Sequence, residues 1–556
     1  MDWQKLKALG PPGPSFPRAL WSKQPSDISP NAWIDGVRGL AALIVTLDHL
    51  FWHLIGPLFQ GWKSFPADAH SSILQLPGPS IIFGARAMVP LFFVISGYCI
   101  SLSSIRARSS STTNPQSSSP SPLLTTLSTS VFRRALRLML PVLAIAAFSQ
   151  LVYACGGYSA WPEHFDAASL PSPDNLSPLA HATYLLTYAG SLFDQVLTGT
   201  RCPGTGTADC PVGLNGQLWT IPLELRGSFV VYLCVLGLAR TRDKPRKWVL
   251  AALAGALLVW RGWWEGATFV AGLLIAELTT AAAAGTKGDG NDGGDEPGVE
   301  MEQQRREEEE EDDDDDDYDG EGDEDLILFS PATEPPAWLP LPLRSRPSSY
   351  DRWSTIRGAA WMREESGKRL LLCMLRRNGI SRNARSAAFA LVGVWLLCFP
   401  NDPDMLGGYG PCYSFLMSHL APARWFVSEG GGAARAEFCW RAVGGVAFVA
   451  ALAGSGSTVS AVLRRPFVSA AAQYFGRISF MLYLVHIMVI QCMLYRVQGP
   501  LVEVLGEERG WAAGVVARLV LLPPMFWIAE VLVEGLDKRS IGLAKWLSRA
   551  WAVEER

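Results

Sequence analysis

Ten apolar runs that few charges interrupt dominate this chain: Gly39–Leu58, Pro90–Leu102, Leu138–Ala154, Gln217–Ala239, Val249–Trp260, Thr268–Ala284, Ser386–Phe399, Val443–Leu463, Phe475–Leu494 and Trp511–Val533. A bilayer's hydrocarbon core is about 30 Å thick and takes about 20 residues of helix to cross. Backbone inside lipid must satisfy its own N–H and C=O groups, which a helix does within one segment. The expected fold class is therefore all-α, a polytopic membrane protein with about ten transmembrane helices. Val249–Trp260 and Ser386–Phe399 are short, and are tilted, re-entrant or wrongly bounded as spans.

The bases test this drawing. With the N-terminus cytosolic, alternation puts Arg106, Arg108, Arg133, Arg134 and Arg137 in one cytosolic group. Arg240, Arg242, Lys244, Arg246 and Lys247 form the next, followed by Arg464 and Arg465, then Lys538, Arg539, Lys545 and Arg549. Opposite connections hold only scattered bases such as Lys63, Arg201 and Arg261. This asymmetry follows the positive-inside pattern and predicts a multi-pass protein of an endomembrane or plasma membrane with both termini cytosolic. The first forty residues lack an apolar core beside a small-residue cleavage site, so the first helix is expected to act as an uncleaved start signal.

The net charge of −4 conceals a division. Between Asp289 and Asp325 lie 22 acids and two bases, Arg305 and Arg306, a local charge of −20 that leaves the remainder at +16. With 49% apolar residues, disorder of the whole chain is excluded. Ten scattered cysteines exclude a small disulfide-stapled domain. The expected organisation is a tail over 1–33 and a membrane part over 34–284 holding six helices. A disordered acidic cytosolic linker over 285–336 and a basic, amphipathic cytosolic segment over 337–385 separate it from a second membrane part over 386–535. A tail over 536–556 closes the chain. Ser109–Ser130, rich in serine and proline, reads as a flexible cytosolic loop. On the opposite side, Cys202 and Cys210 either pair as a disulfide or remain two thiols, and Asn175-Leu176-Ser177 is a glycosylation triplet followed by Pro178. The bases follow the membrane topology and form no single patch, so no nucleic acid is expected as a partner.

Arg38 and His49 carry the sharpest chemical signal. They stand 11 positions apart, about 1100° of helix, so both face one way across about 16.5 Å of rise. With Arg38 at the cytosolic interface, His49 lies near the bilayer midplane, where ionisable groups face cavities or pathways. His53 shares that face. A neutral imidazole accepts a proton from a hydroxyl near pH 7, which general-base chemistry needs. The alternative is a histidine that only bonds a neighbouring helix. Asp48 points about 100° away and is expected to pair with another helix.

Five blocks together resemble the acyltransferase-3 family of integral-membrane O-acyltransferases, and are most similar to its fungal members. They are Ile34-Asp35-Gly36-Val37-Arg38-Gly39-Leu40-Ala41-Ala42 with His49; Phe92-Phe93-Val94-Ile95-Ser96-Gly97-Tyr98; Arg133-Arg134-Ala135-Leu136-Arg137-Leu138 with Pro141; Leu218-Trp219-Thr220-Ile221-Pro222-Leu223-Glu224; and Phe475-Gly476-Arg477-Ile478-Ser479-Phe480-Met481-Leu482-Tyr483-Leu484-Val485-His486. The resemblance spans residues 31–535 apart from the acidic insertion. Pro141 lies further from Arg137 than in many bacterial members, so the third helix is expected to start differently.

The resemblance implies transfer of an acyl group, often acetyl, from acyl-CoA to a hydroxyl of a carbohydrate or other small acceptor. Lipid bilayer, acyl-CoA and a hydroxyl-bearing acceptor are then the partners, acetyl-CoA being a co-substrate, with no metal and no permanently bound cofactor. His49 takes the role of general base. Arg38, Arg134 and Arg137 fit donor phosphates, although arginine also collects at cytosolic helix ends for topology alone. Tyr98 would stack on or bond the donor. Glu224 either orients His49, binds acceptor hydroxyls, or is a paired structural carboxylate. Ser96 either bonds the substrate carbonyl or, with Gly97, permits close helix packing. Trp219, Tyr483 and His486 either line the acceptor path or join a polar network. A transporter or flippase of an acylated or glycosylated compound is the alternative, but no second copy of the Arg38–His49 pattern marks a repeat. A membrane scaffold is a third reading, and it leaves the midplane histidine without a purpose.

Overall fold

The structure is a computed structural model that describes residues 31–55, 60–64, 67–113, 122–159, 177–199, 213–286, 382–400, 409–426, 432–454 and 456–551, with a few single positions between them. The acidic linker, nearly all of 337–385, Cys202, Cys210 and Asn175 lie outside the described residues. Among those described, every regular element is helical. The main helices are α1 (Ala32–Ile55), α2 (Ala85–Thr113), α3 (Pro122–Ala154), α4 (Pro178–Thr198), α5 (Thr220–Gly237), α6 (Asp243–Arg261), α7 (Trp264–Thr286), α8 (Arg382–Leu397), α9 (Gly432–Ala453), α10 (Ala470–Leu505), α11 (Gly510–Leu532) and α12 (Lys538–Ala550).

All ten apolar runs fall on helices: α1–α3 and α5–α11. Among the described residues, six are long and apolar enough to cross a membrane: Ala85–Ser109, Pro122–Ala154, Gly216–Gly237, Ala433–Ala453, Ala470–Leu505 and Glu507–Ala550. The chain is a multi-pass membrane protein. The run Val443–Leu463 is not one span. Its helix stops at Ala453, and Gly456 with φ +67° turns the chain before the short helix Thr458–Arg464. The serine-rich loop is also largely helical: α2 runs to Thr113 and α3 starts at Pro122, where Leu123 and Leu127, one turn apart, are buried. Helix α4 occupies a stretch expected to be a connection. It buries Tyr184, Tyr188 and Leu192 but leaves Leu179, Leu186 and Leu197 exposed.

Close packing positions the site helices. A Cβ built on Gly39 of α1 would lie 2.3 Å from the Gly476 backbone nitrogen of α10. At Gly97 of α2 it would lie 2.3 Å from the Phe269 carbonyl oxygen of α7. Small residues of this kind let helix backbones approach where lipid supplies no hydrophobic drive. Buried ion pairs add further ties. Glu277 takes Arg108 at 2.7 Å and Arg246 at 3.0 Å, joining α2, α6 and α7. Glu437 holds Arg441 at 3.2 Å, and Arg441 also donates to the Phe399 and Pro400 carbonyls. Arg108 and Arg246 therefore act as internal struts.

Candidate active site

A cavity of about 590 Å³ lies among α1, α2, α3, α5 and α10, within the size range of small-molecule sites. Helix α1 contributes Asp35, Arg38 and Val45, α2 contributes Phe92 and Ser96, and α3 contributes Arg134 and Arg137. Thr220 and Glu224 come from α5, Arg477, Phe480 and Tyr483 from α10, and Asp537 from the turn after α11. Charged side chains share the wall with apolar ones, Val45, Val89, Phe92, Ile100, Leu138 and Ile221.

Each arginine of the wall has a carboxylate neighbour. Arg134 donates to Glu224 Oε1 at 2.6 Å and through Nε to Ser228 Oγ at 3.2 Å. Arg38 pairs with Asp35 at 3.2 Å, Arg477 with Glu530 at 3.1 Å, and Arg137 feels the charge of Asp537. Glu224 also accepts from Ser96 Oγ at 3.2 Å. Glu224 thus fixes Arg134 and Ser96, and no bond joins it to His49 among the described contacts. Its role as the orienter of Arg134 was not visible in the spacing.

His49 lies one turn beyond Val45, which is in the cavity wall. It is accessible, while its neighbours Asp48 and Leu50 are buried. Its Nδ1 is 2.8 Å from the Val45 carbonyl oxygen. A carbonyl only accepts, so Nδ1 carries the hydrogen and Nε2 keeps its lone pair. Across from it stands His486, fully buried, with ring centroids 5.1 Å apart at 53°. The same argument applies there: His486 Nδ1 faces the Tyr483 carbonyl at 2.9 Å, so its Nε2 is also bare, and that atom has no hydrogen-bond partner among the described residues. Tyr483 shares a 2.6 Å hydroxyl bond with Thr220 and donates to the Gln217 carbonyl.

Of the residues singled out in the sequence, the cavity wall brings together Arg38, Ser96, Arg134, Arg137, Glu224 and Tyr483. His49 and His486 face each other a turn beyond. Tyr98 is buried against Trp33 at 6.2 Å, and Trp219 meets Phe438 edge-on at 6.1 Å; neither is in the wall. Asp48 turns away from His49 to the start of α2, near the Ala85 backbone and Arg86, as its helical position required. Sequence reasoning passed over Arg477 and Asp537. Arg477 had a signal, a charge inside an otherwise apolar block. Asp537 had none, because only the tertiary return of the chain after α11 brings it beside Arg137.

Residues 31–281 match a family model described as an acyltransferase domain, a segment that carries Arg38, His49, Ser96, Arg134, Arg137 and Glu224. Similar curated proteins include the O-acetyltransferase PaAT-1 of Phomopsis amygdali, 25% identical over 280 residues, which cover 49% of this chain and 52% of that protein. Acyltransferase R4 of a Phoma species is 27% identical over 275 residues, 43% of this chain and 58% of the relative. Acyltransferase clz18 of Cochliobolus lunatus is 27% identical over 289 residues, 45% and 58%. The chain thus spans little more than half the length of the curated relatives it matches. No solved structure matches it.

Proposed function

Residues 31–281 form a domain of the acyltransferase-3 family, and from that premise we propose that the chain is an integral-membrane O-acyltransferase. It transfers an acyl group, acetyl in the first instance, from acyl-CoA to a hydroxyl of a carbohydrate or other small acceptor. The observation that carries this reading is the 2.8 Å contact between His49 Nδ1 and the Val45 carbonyl oxygen. With Nδ1–H tied to the Val45 carbonyl, Nε2 presents a lone pair held in one direction.

The reaction balances on that one atom. Nε2 of His49 takes the proton of the acceptor hydroxyl as its oxygen attacks the thioester carbonyl. The carbon–sulfur bond then breaks, and the imidazolium returns the proton to the CoA thiolate. An ester and free CoA leave. Arg38, Arg134 and Arg137 meet the donor's phosphates, and the cavity's apolar wall suits the uncharged arm leading to the thioester. Glu224 keeps the Arg134 guanidinium in place before the donor arrives. The donor is cytosolic, so the arginine end of the cavity, both termini and the bases beside them face the cytosol in this reading.

The test uses purified protein in lipid with labelled acetyl-CoA and an extract of cells that lack the chain. His49→Gln keeps a polar side chain but removes the base, and should lower transfer about 10²–10⁴-fold while expression and insertion stay normal. Transfer at the wild-type rate in that variant refutes the mechanism.

A further inference from the structure

Arg477 has no task in the chemistry above, although it lies in the cavity wall. It sits within the apolar helix Ala470–Leu505, where an ionisable group is costly unless it faces a cavity or a partner. Arg477 has both. Its Nη2 donates to Glu530 Oε1 of α11 at 3.1 Å. Its guanidinium carbon is 5.5 Å from the centre of the Tyr474 ring, one turn back on α10, within the range of a cation–π contact. The acid is the hidden member of the ion pair. The Glu530 side chain is 8% exposed and that of Arg477 54%, against 34% for Arg38 and 17% for Arg134. An ion pair that only tied α10 to α11 would not account for so open an arginine in the wall.

Helix register fixes its depth. Gly39 of α1 meets the Gly476 backbone of α10, and ten residues further along both helices the ring of His49 meets that of His486. Helices α1 and α10 therefore run parallel and in step, and Arg38 and Arg477, each beside one of these glycines, stand at one level. Arg38 precedes His49 by 11 residues and Arg477 precedes His486 by nine, rises of about 16.5 Å and about 13.5 Å. The pantetheine arm of CoA has about 13 bonds from its sulfur to the first phosphorus, and at the spacing of an extended backbone it spans about 16 Å. With the thioester at His49, the diphosphate arrives at the level of Arg38 and Arg477. The adenosine and its 3′-phosphate then lie beyond them.

We propose that Arg477 is a donor-binding residue that holds the diphosphate of CoA together with Arg38, while Glu530 and Tyr474 keep its guanidinium in place. The proposal rests on the reading of the cavity as an acyl-CoA site. A planar guanidinium whose direction is already set loses little freedom when it takes a phosphate. Arg477 then selects donors that carry a diphosphate, whether or not they carry the 3′-phosphate.

Calorimetry on the full chain in nanodiscs tests it with three probes: CoA, dephospho-CoA, which lacks the 3′-phosphate, and pantetheine, which lacks the diphosphate as well. Arg477→Gln should weaken CoA and dephospho-CoA alike, by about tenfold each, the low end for a hydrogen bond to a charged group because Glu530 already shares the guanidinium. Pantetheine should bind the variant as it binds the unaltered protein. In transfer assays the KM for acetyl-CoA should rise by the same factor with kcat nearly unchanged. Unchanged CoA affinity in the variant overturns the proposal. An equal loss on pantetheine also overturns it, because that marks a structural role. So does a loss on CoA that dephospho-CoA does not share, which moves the contact to the 3′-phosphate. Acyl transfer on the same discs separates the two readings. The selective loss of CoA binding in a chain that transfers no acyl group sinks the enzyme and keeps Arg477, while transfer with KM and CoA affinity unmoved by the substitution does the reverse.

Discussion

The contact between α1 and α10 sets the distance between His49 and the residues opposite it, and one methyl group tests that. Gly39→Ala would put a Cβ 2.3 Å from the Gly476 nitrogen, 2.6 Å from the Phe475 carbonyl carbon and 2.7 Å from the Ala472 oxygen. All three are backbone atoms and cannot swing aside. Restoring ordinary van der Waals contact requires the two helices to part by about 1 Å, at an overpacking cost of about 1–3 kcal/mol. Alanine returns about 1 kcal/mol through its better helix propensity, so stability alone is a poor readout. Activity is the sensitive one. His49 rides on α1, whereas Arg477, Tyr483 and His486 ride on α10, and a 1 Å misplacement costs about 10²-fold in rate. The expected result is a protein that inserts and binds acetyl-CoA but transfers label to the extract about 100-fold more slowly. Gly255→Ala in α6 meets nothing within 4 Å and serves as the control, with transfer unchanged. Wild-type transfer by Gly39→Ala would show that the α1–α10 spacing does not control the chemistry.

Two further substitutions probe the charged parts of the fold. Arg134→Leu removes the guanidinium held by Glu224, and should raise the KM for acetyl-CoA about tenfold or more with a smaller change in kcat; an unchanged KM takes Arg134 out of the donor site. Glu437→Leu strands Arg441, only 1% exposed, and takes the acceptor from the Tyr409 hydroxyl. The loss should be about 3–5 kcal/mol, read as a clear fall in Tm in detergent. A Tm equal to that of the unaltered protein would mean that the Phe399 and Pro400 carbonyls suffice for Arg441.

The helices were legible because lipid-scale apolar runs have few alternatives, and the ten runs did become helices. Their ends were not, since the α9 run stops at glycine-rich chain that hydropathy does not register. Helix α4 escaped notice because Pro178–Thr198 mixes His181, Thr183, Thr187, Ser191 and Asp194 into its apolar residues. The Arg38–His49 register could be read from helical geometry alone, and Arg38 lies in the cavity wall with His49 beyond its Val45 end. The approach of His486 to His49 could not, because 437 residues separate them in sequence and only the α1–α10 packing brings their rings together. For the same reason Glu224 looked equally suited to three tasks until Arg134 and Ser96 were found on its Oε1.

The carboxylates beside the wall arginines bear on how a donor would be held. Arg134 pairs with Glu224, Arg38 with Asp35 and Arg477 with Glu530, and Arg137 feels the charge of Asp537, so four acids stand beside the four guanidiniums. A phosphate entering here exchanges one charge-assisted contact for another, so each guanidinium contributes the difference between two partners and not the whole bond. Four unpaired arginines would grip a polyanion more tightly, but binding donor and transition state equally well lowers KM without raising kcat. They would also repel one another in a low-dielectric cavity, which the carboxylates prevent. On the proposed function, the acids keep the guanidiniums in place before the donor arrives and leave it free to depart once its acyl group has moved. The proton is then taken by His49, whose Nδ1–H bond to the Val45 carbonyl of its own helix fixes the direction of Nε2.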